Sequence, residues 1–183
     1  MADVRPQDCS APTAYRPAAP WHRRLNRAGV LLTSLGLAPR DAVTLEVRGR
    51  VSGRPRRVPV LLTRHGEAQY LVSLAGESQW VRNARAAGGR AVIRRGRARP
   101  VLLQEVSADG RAEIIAAYLR AGRRRGGARA EAEQARSFFG LDPDPTLDDI
   151  DAVADRYPVF RVTGASHAPP ARADRAGRTE AGR

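Results

Sequence analysis

Apolar and polar positions alternate at Val43, Leu45 and Val47, with Thr44, Glu46 and Arg48 between them. A period of two is that of a strand with one buried face. Residues 58–63 read as a second strand and 70–74 as a third. Arg64-His65-Gly66-Glu67 between them is a polar turn, so the two strands form a hairpin. Residues 91–95 and 98–106 form another hairpin around Gly96, and 157–162 supply a last strand. Elsewhere the period is helical. Leu25, Ala28, Leu32 and Leu35 mark a helix over 21–37. Residues 78–87 predict a short helix with Ser78 as N-cap, a buried stripe of Trp80, Val81, Ala84 and Ala87, and an end at Gly88-Gly89. Ile114, Ile115, Tyr118 and Leu119 place a helix over 109–120. Arg123 to Gly127 break it, and 130–139 resume. Thr146 is positioned to cap a further helix that carries Asp148 and Asp149 in its first turn, the favourable sign of charge there.

About six strands in two clear hairpins, with helices between and after them, do not make the alternation of a doubly wound sheet. There is also no GxGxxG motif. The fold class expected is α+β, a small antiparallel barrel with peripheral helices. The 183 residues suit one domain. Four prolines in residues 1–20, and an aperiodic stretch over 165–183, predict a disordered leader and tail around a folded part at 21–164.

Composition adds a charge question. The formal net charge is +13, and all 32 basic residues are arginine. A GC-rich codon bias accounts for such an excess. So does a set of anion contacts, because the guanidinium fork grips phosphate or carboxylate through two bonds. Position has to decide between them. The single cysteine, Cys9, permits no intrachain disulfide and no Cys-rich metal site. With no signal peptide evident, the cytoplasm is the expected compartment. No run approaches the roughly 20 apolar residues that span a bilayer. The helix at 21–37 either packs on the core or rests on an anionic membrane surface.

Two segments carry candidate chemistry. Residues 48–57, Arg-Gly-Arg-Val-Ser-Gly-Arg-Pro-Arg-Arg, hold five arginines and no acid. Gly49 and Gly53 let the backbone turn sharply, Ser52 adds a donor, and exposed N–H groups in such a turn would form an anion nest. The second segment runs from Ser73 through Trp80 to Asn83. It passes from a strand end into a helix N-terminus, where anions are favoured. Trp80 and Asn83, three apart, share a helix face and could flank a planar ring, or serve the core. His65, in the expected turn, reads as a solvated loop residue.

Together GRVSGRPRRVPV and YLVSLAGESQWVRNARAAGGRAVIRRGRA resemble the deazaflavin-dependent nitroreductase and quinone-reductase family, over about residues 43–106. The closing YPVFRV strand fits as well. The resemblance implies a split β-barrel of the flavin-binding type. It implies reduced coenzyme F420 as hydride donor and a quinone or nitroaromatic as acceptor. By motif position, Arg50, Ser52, Arg56 and Arg57 would hold the cofactor's phosphate and acidic tail. Ser73, Trp80 and Asn83 would border the deazaflavin. The acidic tail would also give a role to Arg90, Arg94, Arg95, Arg97 and Arg99. Val51 and Leu74 stand where many members carry lysine, and Ser137-Phe138-Phe139-Gly140 replaces the tyrosine-rich segment of the nitroreductases. Tyr118 and Tyr157 are proton-donor candidates by residue type alone. FMN or haem in the same barrel, a non-catalytic ligand carrier and a non-specific nucleic-acid binder are the rival readings; no specific nucleic acid is expected. Split barrels of this type often pair through strand faces, so a homodimer is open.

Overall fold

Six strands close into one antiparallel barrel in the order β1-β2-β3-β6-β5-β4. They are β1 (Ala42–Arg48), β2 (Pro55–His65), β3 (Ala68–Val72), β4 (Arg90–Arg95), β5 (Arg97–Glu105) and β6 (Val159–Gly164). Helix α1 (Gln79–Ala86) joins β3 to β4; α2 (Arg111–Gln134) and α3 (Leu147–Ala154) lie between β5 and β6. The computed structural model describes residues 41–164. The helix expected at 21–37, the leader and the tail fall outside them. Among the described residues no helix is long and apolar enough to cross a membrane.

The strand period of two sorts residues between two cores. Val43, Leu45, Val47, Leu71, Ala91, Ile93, Val101, Leu103, Phe160 and Val162 point inward and fill the barrel. Helix α1 adds Val81, Ala84 and the flank of Trp80 to the same cluster, the stripe its periodicity predicts. Outward residues Leu61, Tyr70, Val72 and Val159 instead meet Ile115 and Leu119 of α2 and Ile150 of α3. Each large apolar side chain fully buried in this way stabilises the fold by about 1.5–3 kcal/mol.

Three local features differ from or sharpen the sequence expectation. Strand β2 is longer than 58–63. Pro55, Arg56 and Arg57 pair with Arg48, Val47 and Glu46, and the far end of β2 pairs with β3. Proline and arginine carry little strand propensity, so the extension comes from cross-strand partners. It leaves a tight turn over 49–54, and it draws Arg64 and His65 out of the expected loop into the strand. There His65 is half-buried, its Nε2 3.2 Å from Glu113 of α2. Helix α2 is interrupted at Gly126 and Gly127, where φ is −142° and 74°. The chain folds back there, bringing Gln134 against Gly122 and Arg123 within 3.3 Å of Glu131. This is the break expected from Arg123 to Gly127. Helix α3 opens on the expected cap: Thr146 Oγ1 accepts from the Asp149 N–H (3.2 Å), and Asp149 Oδ2 accepts from the Thr146 N–H (2.9 Å).

Candidate functional site at one end of the barrel

The 49–54 turn and the segment from Ser73 into α1 lie at the same end of the barrel, because β1 and β3 finish there while β2 and β4 begin there. The turn is closed by its own backbone. Gly49 N–H donates to Arg54 O (2.9 Å) and Gly53 N–H to Gly49 O (2.8 Å). Arg54 N–H reaches Ser52 Oγ at 3.4 Å, and Arg50 N–H reaches Asn83 Oδ1 at 3.2 Å. Four amides expected to form an anion nest are thereby committed to oxygens of the chain itself. Gly53 sits at φ +65°, and a Cβ on Gly49 would lie 3.1 Å from both Arg54 O and Ser52 Oγ. The glycines therefore serve the turn's closure, and the cationic character rests with the side chains.

Those side chains divide by strand register. Val47 points inward, so its partner Arg56 lies on the inward-facing side at the rim. Glu46 points outward, and so does its partner Arg57. The Arg57 Nε lies 2.7 Å from Glu46 Oε2, which also takes the Arg94 Nε at 3.0 Å. Burial raises the pKa of the Glu46 carboxyl, but hydrogen bonds from Arg57 and Arg94 outweigh it and hold the group below its ordinary range. Arg57 is thus tied on the barrel's outer wall, apart from Arg56. Among the described residues, no carboxylate pairs with Arg48, Arg54 or Arg56.

Arg50 turns the other way, toward α1. Its Nη1 donates to Gln79 Oε1 (2.9 Å) and to Asn83 Oδ1 (3.1 Å). Arg50 and Asn83, predicted as separate site residues, are therefore directly bonded. Gln79, one helical turn before Asn83, is a partner the sequence reading missed, although its i, i+4 spacing was the available signal. Trp80 is half-buried and packs on Phe160 with ring centroids 5.4 Å apart. Ser73 is 1% exposed. Its hydroxyl donates to Gly76 O (2.7 Å) and meets Ser78 Oγ at 3.0 Å. Ser73 thus shapes the loop before α1 from within. Ser78 occupies the N-cap position as expected, but its hydroxyl faces Ser73 and does not cap the helix.

Other candidates lie elsewhere. Arg90 begins β4 at the site end, whereas Arg94, Arg95, Arg97 and Arg99 cluster around the β4–β5 hairpin at the opposite end. Arg99 reaches Gln69 there (3.4 Å). Tyr118 is 3% exposed in the helical core, and burial pushes its hydroxyl up to about 12. Tyr157 donates its hydroxyl to Phe138 O at 2.8 Å. Both tyrosines are packing residues of the helical layer.

A family model described as F420H2-dependent quinone reductase matches residues 21–124, more than half of the chain. The chain belongs to this quinone reductase family. It is accordingly an oxidoreductase, and coenzyme F420 is its cofactor. Solved structures match this chain at low identity and low TM-score. An F420H2-dependent reductase, FDR-A, is 18% identical over 68% of this chain and 95% of its own, with a TM-score of 0.42. A second structure, described as an F420 reductase, is 16% identical over 74% and 92%, with a TM-score of 0.40. The haem storage protein HutZ of Vibrio cholerae is 12% identical over 70% and 84%, with a TM-score of 0.42. A comparison with curated proteins finds no match. The donor set at the turn end suits an anionic, ring-bearing cofactor of this family. It combines guanidinium groups without carboxylate partners, the Asn83 amide and a half-buried indole.

Proposed function

We propose that this F420-dependent reductase passes the hydride to a flat, electron-poor acceptor of the quinone class at the end of the barrel formed by the 49–54 turn and α1. Nitroaromatics are the secondary acceptors. One observation carries the reading: Arg50 is latched to the helix that bears Trp80 and Asn83, at the same end of the barrel as Arg54 and Arg56, which have no carboxylate partner among the described residues. When bound, F420 supplies the hydride. Arg56 and Arg50, with Ser52, would hold its phosphate and acidic tail. Arg57 joins them only by releasing Glu46. Trp80, backed by Phe160, would border the ring, and Asn83 would offer its amide nitrogen to it. Ser73 fixes the loop that places both. Tyr118 and Tyr157, packed in the helical layer, take no part in this reading.

The acidic tail has Arg90 within this end of the barrel. The hairpin arginines at the far end serve it only if the tail crosses the barrel's length. The test is a fluorescence titration of the protein with F420 and, in parallel, FMN, followed by turnover of 1,4-quinones. Arg56→Ala should weaken F420 binding about tenfold or more, as loss of a charge-assisted contact does. Unchanged affinity would remove Arg56 from the site, and preference for FMN would overturn the cofactor fit at this turn.

A further inference from the structure

Helix α1 has only eight residues and no side-chain cap, so its orientation depends on what it packs against: Val81 and Ala84 seat it on the barrel core, and its flanks are held by polar contacts. Arg50 secures one flank. The other flank meets a row of alternating charges. Arg85, near the end of α1, donates Nη1 to Glu77 (2.6 Å) in the loop before the helix. It donates Nε and Nη2 to the two carboxylate oxygens of Glu105 at the end of β5, both at 2.8 Å. Glu105 also accepts from Arg111 Nη2 (3.3 Å). Arg111 in turn donates Nε to Val106 O (3.0 Å) and Nη1 to Asp155 O (3.1 Å), and its side chain is 12% exposed. Its hydrogen bond from Arg85 is the main reason the Glu77 carboxyl is held below its ordinary range. The planar fork is what lets one residue bridge two acids in fixed geometry.

We infer that Glu77, Arg85, Glu105 and Arg111 form a positioning row that locks α1 and its preceding loop to β5 and the start of α2, and so sets Trp80 and Asn83 for the cofactor. The inference rests on the proposed placement of the cofactor at α1. Arg85 bridges three elements, whereas a surface ion pair joins two and contributes little.

The test compares the full chain with Arg85→Ala, Arg85→Lys and Glu105→Gln, reading three quantities. Amide exchange of α1 in the cofactor-free protein should speed up in Arg85→Ala. The Kd and KM for F420 should rise about tenfold, while kcat at saturating cofactor stays within about threefold. Lysine, a single point donor, should recover only part of the loss, and Glu105→Gln should add little on top of Arg85→Ala. A merely structural role would lower thermal stability or kcat and leave Kd and KM unchanged, and that pattern would overturn the inference. If the wild type itself failed to bind F420, the proposed site would fall. Exchange of α1 would then still judge the row, because unchanged protection in Arg85→Ala would refute it. Should Arg85→Ala not fold, Glu77→Gln removes the charge from the loop contact, and from the longer 4.0 Å pairing with Arg82, and must show the same Kd increase in milder form.

Discussion

Asn83 allows stability and cofactor binding to be separated by two substitutions at one position. It is 6% exposed, and its Oδ1 accepts from both the Arg50 N–H (3.2 Å) and Arg50 Nη1 (3.1 Å). Asn83→Ala removes both bonds and strands a partly buried amide. Two bonds at about 1 kcal/mol each, and a share of the penalty for the orphaned donor, give about 2–3 kcal/mol. For a domain of this size that is a fall of about 4–12 °C in Tm. The turn then loses its tie to α1, and F420 affinity should fall about tenfold through lost orientation. Asn83→Asp keeps the acceptor oxygen and makes the Arg50 bonds charge-assisted, so stability should stay near wild type. It also places a carboxylate beside an anion site. At about 5–6 Å and an effective dielectric of about 20, the repulsion is about 3 kcal/mol, of order 100-fold in Kd.

The two readouts therefore rank the proteins differently. Thermal stability should run wild type, Asn83→Asp, then Asn83→Ala; affinity should run wild type, Asn83→Ala, then Asn83→Asp. Thermal melts and F420 titration at one ionic strength measure both. Wild-type affinity in Asn83→Asp would show that Asn83 is not beside the cofactor's charge. An unchanged Tm in Asn83→Ala would show that the Arg50 latch contributes nothing.

Three further outcomes follow from the geometry. Gly89 has φ +76°, and a Cβ there would lie 2.3 Å from Leu103 O, so Gly89→Ala should cost at least about 3 kcal/mol from left-handed strain plus the strand contact; a denaturation midpoint close to wild type would contradict this. Thr146→Ala should cost about 1 kcal/mol by opening the capping box, read from the same midpoint, and no shift would mean the box is idle. Glu46 is depressed below 4.5 in the folded state, so its contribution is present above that value and lost as pH falls through its folded pKa. Wild type should lose stability through that acid window more steeply than Glu46→Gln, and parallel pH curves would contradict the assignment.

The strands and helices were legible because their burial is periodic: Val43, Leu45 and Val47 on one face, Val81 and Ala84 on one stripe. The reversal at Gly126-Gly127 and the box at Thr146 were legible because each is local chemistry. What sequence hid was non-local. The start of β2 is held by Glu46 and Val47 across the strand gap, and nothing in Pro55-Arg56-Arg57 announces it. His65 leaves the expected loop because the hairpin is tighter than its polar run suggests, with His65 pairing Ala68 across it. The internal bonding of the 49–54 amides depends on turn geometry that spacing alone does not fix.

The arginines show why charge by itself could not locate the site. Thirty-two guanidinium groups look alike in a sequence. Carboxylates sort them in space. Arg57 and Arg94 are committed to Glu46, Arg85 to Glu77 and Glu105, Arg123 to Glu131, and Arg125 to Asp41. These hold strands and helices together, whatever codon usage first put them there. Lack of a carboxylate partner among the described residues does not by itself choose one end of the barrel. Shape does. We propose the turn end because there Arg50 lies against a helix with an indole and an amide, and that helix is clasped by Arg50 on one flank and by Arg85 on the other. A ligand that needs both an anion clamp and a surface for a planar ring would find them side by side in that proposed site.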